Sequence, residues 1–177
     1  EHVYALPVLL PIPGETVEPT PSLAHALVMA AFPFVRDMIP GNAAGIAIDK
    51  QKPGAGAGKL EAAMSTIYSG RAPPAMALPT NPEDMTKVLL PALRSDQSNI
   101  FFDNINDAVD SGELASAMTA PTYMARVLGK SETVEVEVRS QWVIAGNKLR
   151  LSDELIRRLA LIYLDPKTAN PEKRTGF

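Results

Sequence analysis

Residues 43–60 read Ala-Ala-Gly-Ile-Ala-Ile-Asp-Lys-Gln-Lys-Pro-Gly-Ala-Gly-Ala-Gly-Lys-Leu. The first seven, Ala43 to Asp49, make a short apolar run of the kind required of a strand covered on both faces. The run passes straight into Lys52-Pro53-Gly54-Ala55-Gly56-Ala57-Gly58-Lys59, and Leu60 to Tyr68 are good helix formers. Strand, glycine-rich loop and helix in that order open an α/β unit.

The flanking sequence repeats the alternation. Before the strand, Leu23, Ala26, Leu27, Ala30, Ala31 and Phe34 recur at helical spacing between a Ser22 cap and the stop at Pro40-Gly41. After it, Ala75 to Leu78 reads as a short strand, and Asn81-Pro82 starts a helix that Pro91 is expected to interrupt or end near Leu90. Asn99 to Asp103 is an apolar strand closing on a carboxylate, and Ser111 to Met118 is helical. Thr133 to Val138 alternates strictly, as a strand with one wet face does, and Gln141 to Ala145 is a buried strand ending at Gly146-Asn147. A helix over Leu151 to Leu159, capped by Ser152, and a last strand over Ala160 to Leu164 complete the pattern. The expected fold is an α/β sandwich with helices on both faces of a largely parallel sheet. Residues 1–21 carry five prolines and are expected to form an extended arm or linker, leaving 22–177 as one domain.

Composition narrows the chemistry. The chain has 177 residues, 46% apolar and 21% charged, enough for one domain with a substantial core. It lacks cysteine, which removes disulfides and thiolate chemistry and leans toward a cytoplasmic setting. His2 and His25 are the whole imidazole supply, so histidine metal sites and triads are poorly provided for. A formal charge of -3 means that any nucleic-acid contact must come from a local patch. The run from Leu23 to Phe34 meets Arg36-Asp37 before it reaches the ~20 apolar residues of a membrane span, so no membrane segment is expected. The absence of an initial Met and the ending at Phe177 read as a piece cut from a larger protein.

Three strand ends carry candidate chemistry. Gly54, Gly56 and Gly58 permit the turns and close backbone approach that a ring of N–H groups around a phosphate needs, and Lys59 at a helix N-terminus can reach β and γ oxygens. The alternative is a flexible Gly/Ala loop with a solvated lysine. Against the phosphate-loop pattern G-x-x-x-x-G-K-[S/T], Pro53 stands at the first glycine and Leu60 at the hydroxyl position, where leucine cannot bind magnesium. Asp103 is a candidate for holding Mg²⁺ through water, or else a turn residue; Asn104 follows it where a water-activating glutamate would help. Asn147 could orient a water or touch a γ-phosphate, or simply form a Gly-Asn turn. Arg157 and Arg158 could stabilise phosphoryl charge in a neighbouring subunit, or lie solvated on a helix. Arg126, Lys130 and Arg139, with Tyr123 for stacking, could follow a DNA backbone, unless Glu132, Glu135 and Glu137 cancel their charge.

Over about residues 30–177 the chain resembles the ATPase domain of mobile-element primase-helicases, in the superfamily III helicase and AAA+ lineage of phages, plasmids and prophages. The resemblance rests on the Lys59 loop with its strand, Phe101-Phe102-Asp103-Asn104, Tyr123 to Ser131, Trp142 to Asn147, Arg157-Arg158 leading to Leu164-Asp165-Pro166, and Glu172 to Phe177. It implies a P-loop fold and a homo-oligomeric ring that binds ATP and Mg²⁺ between subunits and couples hydrolysis to movement on DNA, single-stranded by expectation. Gly54, Gly56, Gly58 and Lys59 would then hold the nucleotide, and Asp103, Asn147, Arg157 and Arg158 would act in hydrolysis. Asp103 would also carry the metal, and Arg126 and Lys130 would contact DNA. The departures at Leu60 and Asn104 suit instead a degenerate domain, regulated by nucleotide or purely structural within a ring. A monomeric phosphotransferase is a third reading, without an identifiable acceptor site.

Overall fold

The computed structural model describes residues 20–95, 98–127 and 129–166. Helix α1 (Pro21–Val35) opens the described chain and is followed by a 3-10 turn, Arg36–Met38. The cap is Thr20 rather than Ser22: its hydroxyl accepts from the Leu23 N–H at 3.1 Å, and Pro21 takes the first helical position, where no N–H is needed. The Ser22 hydroxyl is used elsewhere, accepting from the Tyr163 N–H. Of the arm expected over 1–21, residues 1–19 lie outside the described residues, and Pro21 belongs to α1.

The chain continues as β1 (Gly45–Lys50), α2 (Ala57–Ser69), β2 (Ala75–Met76), α3 (Pro82–Arg94) and β3 (Asn99–Ile105). Then come β4 (Ala108–Val109), α4 (Gly112–Thr119), β5 (Thr122–Arg126), β6 (Thr133–Glu137), β7 (Gln141–Asn147), β8 (Arg150–Leu151), α5 (Asp153–Ile156) and β9 (Leu159–Leu164). Five strands form one sheet in the order β2-β3-β7-β1-β9, and each pairing in it is parallel. β5 and β6 make a separate antiparallel hairpin, and β4 and β8 a two-residue parallel bridge.

Strand residues divide between the two faces with a period of two. Ile46, Ile48, Phe101, Val143, Ala145 and Ile162 pack with Ala26 and Met29 of α1 and Leu60 and Met64 of α2. Ala47, Ile100, Phe102, Trp142 and Ile144 pack with Met85 and Leu89 of α3, Leu114 and Met118 of α4, and Leu155 of α5. Both faces of the sheet are thus covered, which is why its strands read as apolar runs. The fold is an α/β sandwich, as the alternation of elements predicts. Among the described residues no helix is long and apolar enough to cross a membrane.

Two local expectations are corrected. Helix α3 runs through Pro91 to Arg94, because Ala92 and Leu93 continue the buried face of Met85, Leu89 and Leu90 and that packing outweighs one missing N–H. The helix expected over Leu151 to Leu159 shrinks to four residues. Its first residue is instead paired with Val109 in β8, and its last with Gly45 in β9, so tertiary strand pairing overrides helix propensity at both ends. Ser152 makes no side-chain cap there.

Candidate functional site

The C-terminal edge of the sheet gathers all three strand ends singled out in the sequence: the glycine loop after β1, Asp103 and Asn147. Gly54 and Gly56 have φ of 75° and 103°, left-handed values open to glycine at little cost. Between and after them, Ala55 and Ala57 are each only 2% exposed and join the core beneath α1 and α2. The Gly-Ala alternation therefore has a physical basis, with methyl groups anchoring the loop inward and glycines turning it. The loop ends in the first turn of α2, where Gly56 caps the helix and its carbonyl accepts from the Leu60 N–H at 2.8 Å. Lys59 is the third helical residue, exposed, with no described residue tying down its ammonium group. Leu60 points the other way and is 1% exposed in the core.

Asp103 stands beside this first turn: a Cβ built on Gly58 would lie 3.7 Å from its Oδ2, an ordinary contact. The strand register of β3 against β7 shifts between Phe102 and Ile105, and Asn104 takes a left-handed φ of 58°. Such an irregularity re-aims a side chain at a strand end. The Asp103 carboxylate accepts from the Asn104 N–H at 2.7 Å and from Lys50 Nζ at 3.2 Å through the same Oδ1. Lys50, the last residue of β1, is only 6% exposed. Its register partner across β7 is Asn147, whose Nδ2 donates to Asn106 Oδ1 at 3.3 Å and whose Oδ1 is buried without a partner. Next to Lys50, Asp49 accepts from the Leu149 N–H at 2.9 Å and fixes the turn that follows β7.

Arg157 and Arg158 are not part of this edge. β9 starts at Leu159 opposite Gly45, the first residue of β1, and the Gly45 N–H donates to the Arg158 carbonyl at 2.9 Å. The length of β1, roughly 16 Å at strand rise, separates that edge from the loop. Arg157 donates to the Asp153 carbonyl, and Arg158 to Thr119 Oγ1 and to the Glu154 carbonyl and carboxylate.

The hairpin β5–β6 carries Arg126 and Lys130 exposed at its tip. Arg126 donates to the Lys130 carbonyl and to Ser131 Oγ, both at 3.3 Å. A groove of about 500 Å³ runs from this tip to Glu83, Thr86 and Lys87 of α3. Tyr123 is not a stacking surface. It is 7% exposed, its hydroxyl donates to Glu113 Oε1 at 2.6 Å, and burial with that bond pushes its pKa up to about 12. Arg139 lies at the base of the hairpin, paired with Asp37 and near Glu137, so its charge is largely offset.

Two residues escaped the sequence reading. Lys50 looks like a surface charge after an apolar strand, although burial of five of the six β1 residues extends to it. Glu61 falls at helical spacing among Ala57, Leu60, Met64 and Ser65, the buried face of α2, and that spacing was a legible signal. It is 0% exposed; Oε1 accepts from Ser65 Oγ at 2.9 Å and from Asn99 Nδ2 at 2.8 Å, while Oε2 has no partner. Burial pushes its pKa up to about 7 against these two donors.

No protein-family model matches the chain, and no curated protein matches it. The chemistry must therefore be judged on the residues themselves. The loop offers two glycines in left-handed conformation, a helix N-terminus and a lysine with no partner among the described residues, features of a kind that suit a phosphate. Magnesium in the arrangement implied by the resemblance does not fit. The hydroxyl position is a core leucine, the Asp103 carboxylate is already paired with an ammonium, and among the described residues no three Asp, Glu or His side chains are grouped to hold a metal ion.

Proposed function

We propose that this domain binds the phosphates of a nucleoside triphosphate at the Gly54–Lys59 loop, as the nucleotide-responsive module of a DNA-directed ring like those it resembles. One observation carries the reading. In open α/β sheets ligands collect at the C-terminal strand ends, where neighbouring strands send their connections to opposite faces. β1 leaves through α2, which packs on one face, and its neighbour β7 leaves through α5, which packs on the other. Lys50, Asn147 and the loop sit at that crevice, with Asp103 beside them.

Within this reading Lys59 meets β and γ oxygens, Asn147 faces the terminal phosphate, and the exposed pair Arg126 and Lys130 follows a DNA backbone. Arg157 and Arg158, on the far edge, can approach a nucleotide only from another copy of the chain, in keeping with a ring. Lys59→Ala should weaken ATP binding about 10- to 100-fold, the range for one charge-assisted phosphate contact. Titration calorimetry of wild type and variant checks this, and equal affinities would remove the loop from consideration.

A second reading, a nucleotide-regulated ring subunit with little turnover, is favoured by burial of Leu60 and by Asn104 in place of a base. ATP turnover by the chain, with and without single-stranded DNA, separates the two. DNA-stimulated hydrolysis abolished by Asp103→Ala supports a module that couples hydrolysis to movement on DNA, and nucleotide binding without turnover supports the regulated subunit.

A further inference from the structure

From the misfit of magnesium we infer that this site, if it takes nucleotide as proposed above, takes it without a divalent ion, the buried ammonium of Lys50 standing in for the metal. A carboxylate beside a phosphate loop repels the ligand unless a cation lies near it, and a magnesium ion supplies that cation where a hydroxyl at the head of the helix can help hold it. Here the hydroxyl is replaced by Leu60, whose side chain is built into the core with Ile46, Ile48 and Met64, so it cannot swing out to serve. The cation is supplied by the chain. Lys50 Nζ lies 3.2 Å from Asp103 Oδ1, with side chains only 8% and 18% exposed.

The position of Lys50 is fixed by the fold. It is the last residue of β1, held in register with Asn147 on one side and Leu164 on the other, and its carbonyl accepts from the Lys148 N–H at 2.9 Å. Its ammonium has three donors, of which Asp103 takes one, leaving others for phosphate oxygens at the mouth of the loop. Two lysines then bracket the polyphosphate, Lys59 from the helix and Lys50 from the strand. The preferred ligand is the metal-free nucleoside di- or triphosphate, since magnesium bound to the phosphates would bring a second positive charge toward Lys50.

Calorimetric titration of the full chain with ATP and with ADP, once in excess Mg²⁺ and once in EDTA, tests this without any variant. The expected result is binding in EDTA as tight as in Mg²⁺, within about threefold, or tighter. Binding that needs Mg²⁺, tightening about tenfold or more on its addition, overturns the inference and leaves the nucleotide reading standing. Binding in neither buffer overturns both. Lys50→Met gives an independent arm, with folding checked by circular dichroism. It should lose most binding in EDTA and recover part of it with Mg²⁺, because Asp103 is then free to attract the ion. A Lys50→Met protein that binds ATP in EDTA like wild type also overturns the inference.

Discussion

Between about pH 5 and pH 8 the folded chain should lose stability on the order of 3 kcal/mol through Glu61 alone, about 1.4 kcal/mol for each unit by which its pKa is raised from 4.5 to about 7. The direction follows from proton counting. Below pH 4.5 the group is protonated whether the chain is folded or not. Between 4.5 and about 7 the native state keeps a proton that the unfolded state has released, so stability falls as pH rises, and it levels off above about 7. In a domain of this size the loss corresponds to a melting temperature lower by roughly 6 to 12 °C. Glu61→Gln keeps an oxygen to accept from Ser65 and Asn99, replaces the unpartnered Oε2 with a neutral amide, and cannot ionise. Its melting temperature should vary much less over this range and exceed that of wild type at pH 8. Parallel melting curves for the two proteins across the range would show that Glu61 is not the titrating group.

The second large effect is expected at Gly146→Ala. This residue lies in β7 immediately before Asn147, opposite Asp49 in β1 and Ile105 in β3. A methyl group there falls well inside contact distance of the Ile105 carbonyl oxygen and of Leu149 Cδ2, and 3.0 Å from Ile105 Cβ. A side chain can rotate away, but a backbone carbonyl in a paired strand cannot. The two strands must part just where Asp103 and Asn147 are held, which should cost at least about 3 kcal/mol. Nucleotide binding should fall with it. Gly112→Ala is the matched control, because a methyl group there meets nothing within 4 Å and Gly112 opens an ordinary helix. It should be neutral or stabilising by up to about 1 kcal/mol. Urea unfolding of both variants gives the comparison, and a Gly146→Ala midpoint equal to that of wild type would refute the close packing described.

What could be read from the sequence was local. Ile46-Ala47-Ile48, Ile100-Phe101-Phe102 and Trp142-Val143-Ile144 announce strands covered on both faces, and Asn81-Pro82 announces its helix start, where the Asn81 side chain does accept from the Asp84 N–H. Gly54 and Gly56 were equally legible, since few residues other than glycine turn with positive φ, whereas Gly58 lies inside α2 without one. What could not be read depends on partners distant in the chain. Nothing near Lys50 foretells a carboxylate 53 positions away, and nothing near Leu151 foretells its pairing with Val109. Tyr123 was misread for a similar reason. An aromatic residue in a basic stretch looks available for stacking until Glu113, ten residues earlier on another element, is found to hold its hydroxyl.

The position of β1 inside the sheet bears on how any signal leaves the loop. β1 is bonded to β7 on one side and β9 on the other, whereas β2 forms one of the two outer borders and has only two residues. Backbone amides of β1 should therefore exchange with deuterium only when the whole chain opens, and those of β2 through frequent fraying. The mount beneath the loop is an interior strand, bonded on both sides. A movement started at the loop should therefore pass more readily through α2 and the strand ends than through the doubly bonded strand that carries the loop.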